Sequence, residues 1–101
     1  MTQKLVTLIE GSIDRAKEIT NALLLQGPLK ALSAYDEVPS QIFLRRNPQD
    51  LYIVGRPRGS APVSAQDFIR ANDPEAKIIL LDKEITFDEL FVKMKEELGI
   101  T

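Results

Sequence analysis

Two arginines, Arg56 and Arg58, stand in a short segment punctuated by Gly55, Pro57, Gly59 and Pro62. Guanidinium groups donate paired hydrogen bonds in a fork that suits phosphate, so this loop suggests oxyanion binding. Ser12 is placed to cap a helix whose first N–H groups would face the same ligand. Lys83 would add a further cation. A second chemistry, paired acid–base work, would draw on Glu10, Asp14, Asp36 and Asp82. Nothing in their spacing requires a pair, and capping or solvated roles suit them better. The chain has no His and no Cys. A Ser-His-Asp triad within the chain, a thiol nucleophile, a thiolate metal site and a disulfide are therefore all excluded. The expectation is a chain that is not an enzyme and uses neither cofactor nor metal.

The plainer reading of the arginine loop is a solvated Gly/Pro segment with ordinary surface charges, because no phosphate-loop motif is present. Gly55-Arg56-Pro57-Arg58-Gly59 also resembles the AT-hook core used in DNA minor grooves. The flanking basic residues of that motif are missing and the net charge is −2, which argues against nucleic acid. Arg70-Ala71-Asn72-Asp73 has the Arg-x-x-Asp pattern of some cyclic-dinucleotide sites. A helix end with a surface ion pair accounts for it more simply.

These residues need a scaffold, and 101 residues suffice for a single domain, 1–101, around one core. Hydrophobic residues make up 44% and charged residues 28%, an ordinary globular balance. No apolar run reaches the ~20 residues of a membrane span, and the first residues lead straight into a strand-like run. A soluble, cytoplasmic domain is expected, with no membrane contact.

Four strand-then-helix units follow one another. Leu5 to Ile9, Leu29 to Tyr35, Leu51 to Val54 and Lys77 to Leu81 read as strands. Helices are expected after Ser12, around Ile42 and Phe43, after Ser64 as a cap, and after Thr86 in the capping box Thr86-Phe87-Asp88-Glu89. Gly27-Pro28, Asn47-Pro48, Asn72-Asp73-Pro74 and Gly99 read as helix ends. Residues 39–46 are readable as helix or as extended chain. Phe87, Leu90, Phe91, Met94 and Leu98 form one apolar stripe, expected to face the core. Alternating strands and helices predict a three-layer α/β/α fold with a four-stranded parallel sheet, order 2-1-3-4. The first and last helices would share one face and the middle two the other. Ligands of such sheets lie beyond the strands' carboxyl ends, a rim predicted to hold Glu10, Gly11, Ser12, Gly55, Arg56, Arg58, Asp82 and Lys83.

The order of elements resembles the receiver domains of two-component signalling. Leu5 to Glu10 resembles the receiver's first strand and acidic corner. Asn47-Pro48-Gln49-Asp50-Leu51-Tyr52-Ile53-Val54 resembles the approach to its phosphoacceptor strand. Phe68-Ile69-Arg70, Asp73-Pro74 and Ile78 to Leu81 resemble its third helix and fourth strand, and Lys83 to Leu90 its last turn and helix. The resemblance implies an acidic pair for Mg²⁺, an acceptor Asp, a hydroxyl and a Lys. Carried over residue by residue, the pair becomes Glu10 and Gly11, the acceptor becomes Gly55, and the hydroxyl position falls near Asp82. Only Lys83 matches. Phosphoryl transfer to a receiver depends on positioning and on charge stabilisation by metal and Lys. The implied domain is therefore a shortened receiver-like one that takes no phosphate.

The expected function is a non-catalytic, phosphorylation-independent regulatory module that binds a protein partner or a second copy of itself. The alternative is a regulator binding a small anionic ligand or nucleotide through Ser12, Arg56, Arg58 and Lys83. The sequence that would form a receiver's fifth strand is missing, so the fourth strand is expected at the sheet edge. Lys77, Ile79 and Leu81, with Phe68 on the adjacent helix, are the predicted interface.

Overall fold

Leu5–Ile9 forms β1, and the four residues from Val6 to Ile9 are all buried. A strand covered on both faces needs an almost wholly apolar sequence, which this one has. Its one polar side chain, Thr7, is satisfied by a hydrogen bond with Gln49 Oε1 at 3.0 Å. The computed structural model describes residues 4–26, 31–59, 61–81 and 85–99. After β1 come α1 (Ile13–Gln26), β2 (Ala31–Tyr35), α2 (Gln41–Arg46), β3 (Leu51–Val54), α3 (Pro62–Asn72), β4 (Ile78–Leu80) and α4 (Phe87–Leu98). The strands form one sheet, order β2-β1-β3-β4, and every neighbouring pair is parallel. Ile9 lies beside Tyr35 on one flank and Val54 on the other, so the strands end together along one rim.

Strand alternation divides the interior into two cores. Val6, Leu8, Leu51, Ile53 and Ile79 pack with Ile19 and Leu23 of α1 and Leu90, Met94 and Leu98 of α4. Ile9, Tyr52 and Val54 pack with Leu44 of α2 and with Ala65 and Ile69 of α3. The pairing of first helix with last, and of the two middle helices, is the expected one.

Residues 39–46 resolve as a short helix preceded by its cap. The Phe43 N–H donates to Ser40 Oγ at 3.2 Å, and Leu44 is fully buried. The Glu89 N–H donates to Thr86 Oγ1 at 3.1 Å, and Gly99 ends α4 with φ 69°, a left-handed value that favours glycine. Ser64 does not cap α3. That helix starts earlier, at Pro62, with Ala61 at the N-cap and no side-chain cap bond. Proline suits a first helical turn because its missing N–H would have no partner there. Phe87, expected in the core stripe, is the first residue of α4 and is 47% exposed. Gly27, Pro28 and Leu29 lie outside the described residues.

Candidate functional site

The rim brings together the segments that follow β1, β2 and β3. At its centre is Glu10, whose carboxylate is buried, with only 3% of the residue exposed. Oε1 accepts the Ser12 N–H at 3.1 Å, and Oε2 accepts the Arg56 N–H at 3.4 Å. Arg15 Nη1, from the first turn of α1, lies 3.5 Å from Oε2. Burying a carboxylate is costly unless it is paired and hydrogen-bonded, and these contacts supply both.

The strand register explains how Glu10 comes to fit. Because Ile9 pairs with Val54, the next residues, Glu10 and Gly55, are neighbours across the sheet's end. A Cβ placed on Gly55 would overlap Glu10 Oε2 and lie 2.9 Å from Cδ. The Glu10 carboxylate thus occupies the volume that a side chain at position 55 would need. Gly11 is constrained differently. Its N–H donates to the Arg56 carbonyl at 3.0 Å, and an added Cβ would lie 2.9 Å from both the Arg56 oxygen and the Arg58 nitrogen. Both contacts are backbone, so the corner has no room for an acidic residue there.

These facts bear on the divalent cation that the receiver resemblance implies. The residues do not fit it. A hard cation needs several oxygen ligands, including carboxylates. Glu10 directs its oxygens at N–H donors and a guanidinium, and Gly11 and Gly55 offer no side-chain oxygen. Among the described residues, no group of three acidic side chains is placed to hold a metal.

The predicted anion ligands are only partly brought together. Arg58 is turned toward the corner after β2, with Nη2 2.9 Å from Asp36 Oδ2 and 3.3 Å from Glu37 Oε1. Its N–H also donates to the Asp36 carbonyl at 2.8 Å. Arg56 extends into solvent while its N–H points inward to Glu10. The Ser12 hydroxyl accepts the Arg15 N–H at 3.4 Å, and its own N–H is taken by Glu10. Two of the N–H groups at the start of α1, those of Ser12 and Arg15, are thus taken by side chains of the protein itself. Lys83 and Asp82 lie outside the described residues. A groove of about 440 Å³ opens beside the carboxylate, lined by Glu10, Ser12, Arg15, Arg56, Pro62 and Leu81 along with Gly55.

Of the Arg70-x-x-Asp73 pattern, Asp73 is engaged by the sheet. Asp73 accepts the hydroxyl proton of the fully buried Tyr52 at 3.2 Å. Burial, reinforced by the adjacent Asp73 charge, pushes the Tyr52 hydroxyl up to about 12.

The four predicted interface residues separate on inspection. Ile79 and Leu81 are 5% and 7% exposed, so their side chains belong to the core shared with α1 and α4. Lys77 donates from Nζ to the Glu97 carbonyl at 2.6 Å, at the far end of the strand. Phe68 lines a groove with Val38, Pro39, Ser40, Ser64 and Ala65, between α2 and α3. Leu80 turns to the opposite face of the sheet, beside Val54, and is 39% exposed. The Lys77 carbonyl accepts from Tyr52 and the Leu81 N–H donates to Val54, so odd-numbered residues pair with β3. Alternation then turns the N–H and C=O groups of Ile78 and Leu80 to the open edge.

No described helix is long and apolar enough to cross a membrane. Comparison of the chain with protein-family models, with curated proteins and with solved structures gives no match.

Proposed function

We propose that this chain is a non-catalytic, phosphorylation-independent, receiver-like interaction module that pairs with a second copy of itself along β4. The observation carrying this reading is the open edge, where Leu80 is partly exposed and the Ile78 and Leu80 backbone groups point outward. Neither Pro nor a charged side chain interrupts Ile78–Leu80, the usual ways of blunting an edge. A two-fold axis through Ile79 would set Ile78 of one protomer opposite Leu80 of the other, the hydrogen-bonded pair of an antiparallel ladder. The small-anion alternative draws less support, because Arg58 is engaged by Asp36 and Glu37 and the rim's buried donors by Glu10.

Sedimentation velocity of the wild type against Leu80→Lys tests the pairing. Leu80 is the suitable position because Ile79 is core, and circular dichroism confirms that the variant folds. The expected result is a dimeric parent and a monomeric, folded variant. A wild type that stays monomeric at millimolar concentration refutes the pairing. Intact mass after acetyl phosphate treatment is expected to stay unchanged, and a phosphoryl group gained on Glu10 would overturn phosphorylation independence.

A further inference from the structure

The donors around Glu10 come from separate parts of the chain: the Ser12 and Arg56 N–H groups from two loops, and the Arg15 guanidinium from α1. They converge on one carboxylate that lies over Gly55, in the space a side chain there would need. Convergent N–H groups and a guanidinium are the means by which proteins hold free oxyanions. Here the anion is covalently part of the chain. The cradle also adjoins the 440 Å³ groove, which gives a route in from solvent.

We propose that the Glu10 pocket is a small-carboxylate binding site whose ligand is the protein's own side chain. In the native chain the tethered carboxylate has a high effective concentration, so the cradle stays closed to free oxyanions. It joins the β1–α1 corner to the β3–α3 corner whatever anions surround the protein. Cutting the tether with Glu10→Ala leaves the donors in place and opens a site sized for formate or acetate. This inference is independent of pairing through β4, and a monomeric wild type would leave it standing.

The test is a titration of Glu10→Ala with sodium formate and sodium acetate against matched sodium chloride. Thermal unfolding and amide NMR are the readouts. A ligand that binds only the folded state raises the midpoint by mass action, by roughly 6–11 °C at ten times its dissociation constant in a domain of this size. Saturable shifts of the Ser12 and Arg56 amide signals are expected in the variant, and none in the wild type. A folded variant that responds to carboxylate no differently from chloride overturns the proposal, as does a wild type that responds equally. If Glu10→Ala is unfolded in chloride, recovery of the folded spectrum in formate or acetate supports the site. If it is unfolded in every salt, Gly55→Ala gives the second test, since it keeps Glu10 but takes its space. The Glu10 carboxyl ¹³C resonance should then move to the position of a solvated glutamate, and an unmoved resonance overturns the proposal.

Discussion

Replacing Gly55 with alanine should cost stability only while Glu10 is present. Gly55 is not among the glycines with positive φ, so alanine can adopt its backbone conformation. By reducing the freedom of the unfolded chain, the substitution alone should stabilise by about 0.4–1 kcal/mol. Its Cβ, however, overlaps Glu10 Oε2 and expels the carboxylate. Hydrogen bonds to charged groups contribute about 1.5–3 kcal/mol each at good geometry. Two of the three contacts, at 3.4 and 3.5 Å, lie at the long end, so the whole anchorage is worth roughly 2–3 kcal/mol. Gly55→Ala should therefore destabilise by about 1–2.5 kcal/mol, and Glu10→Ala by about 2–3 kcal/mol. In the double variant the anchorage is lost once rather than twice, and the methyl group fills vacated space. The expected coupling is about −2 to −3 kcal/mol, the size of the shared anchorage. Urea unfolding of the four proteins measures it. Additivity within about 0.5 kcal/mol would show that the two positions do not compete for space, and would refute the reasoning.

Gly11→Asp, which restores the residue type the receiver resemblance implies, should destabilise by about 1–3 kcal/mol in urea unfolding, because its Cβ meets backbone of the β3–α3 corner. It should not create a Mg²⁺ site detectable by calorimetry. Tyr52 is raised to about 12 from 10, so the folded state retains the proton that the unfolded state releases. Its stabilising contribution is complete below pH 10 and is lost as pH rises through about 12, a fall on the order of 2–3 kcal/mol by linkage. Comparison with Tyr52→Phe in urea unfolding across that range checks the sign, since the variant should lack this component of the alkaline loss.

The fold was legible because its signals are local and agree with one another. Leu5–Ile9 and Leu51–Val54 are short, nearly all apolar runs followed closely by Gly11 and Gly55, and both form strands over those residues. Thr86 with Glu89, and Gly99, mark the two ends of α4 by chemistry that needs no tertiary contact. Ser64 misled because it is a good cap residue only where a helix begins, and Pro62 had already begun one. The run Ile78-Ile79-Leu80-Leu81 failed for another reason. Four consecutive apolar residues have no alternation, so which pair faces α1 and α4 and which faces α2 and α3 is not written in them. Pairing with β3 decides it, placing Ile79 and Leu81 in the core under α1 and α4, and Ile78 and Leu80 on the other face, where Leu80 stays 39% exposed.

The site was less legible because it is a relation between residues 45 positions apart. Taken singly, Glu10 is a carboxylate at the end of an apolar strand, and Gly55 is a position without a side chain. Read as remnants of a metal and phosphate site, the two describe a loss. The register makes them complementary, since a long acidic side chain beside a residue with no Cβ is a match of volumes. A signal for this did exist: the predicted order 2-1-3-4 sets the first and third strands side by side, and Glu10 and Gly55 each directly follow one of them. What the sequence lacked was the alignment of those strands, which Ile9 beside Val54 supplies. Without that alignment Arg56 and Arg58 draw the eye, because paired arginines advertise anion binding. In the folded chain Arg58 answers to Asp36 and Glu37, and Arg56 contributes its backbone N–H rather than its guanidinium to the cradle. The anion chemistry suggested by the loop is therefore present at the rim, but the carboxylate it holds is supplied by the residue that follows β1.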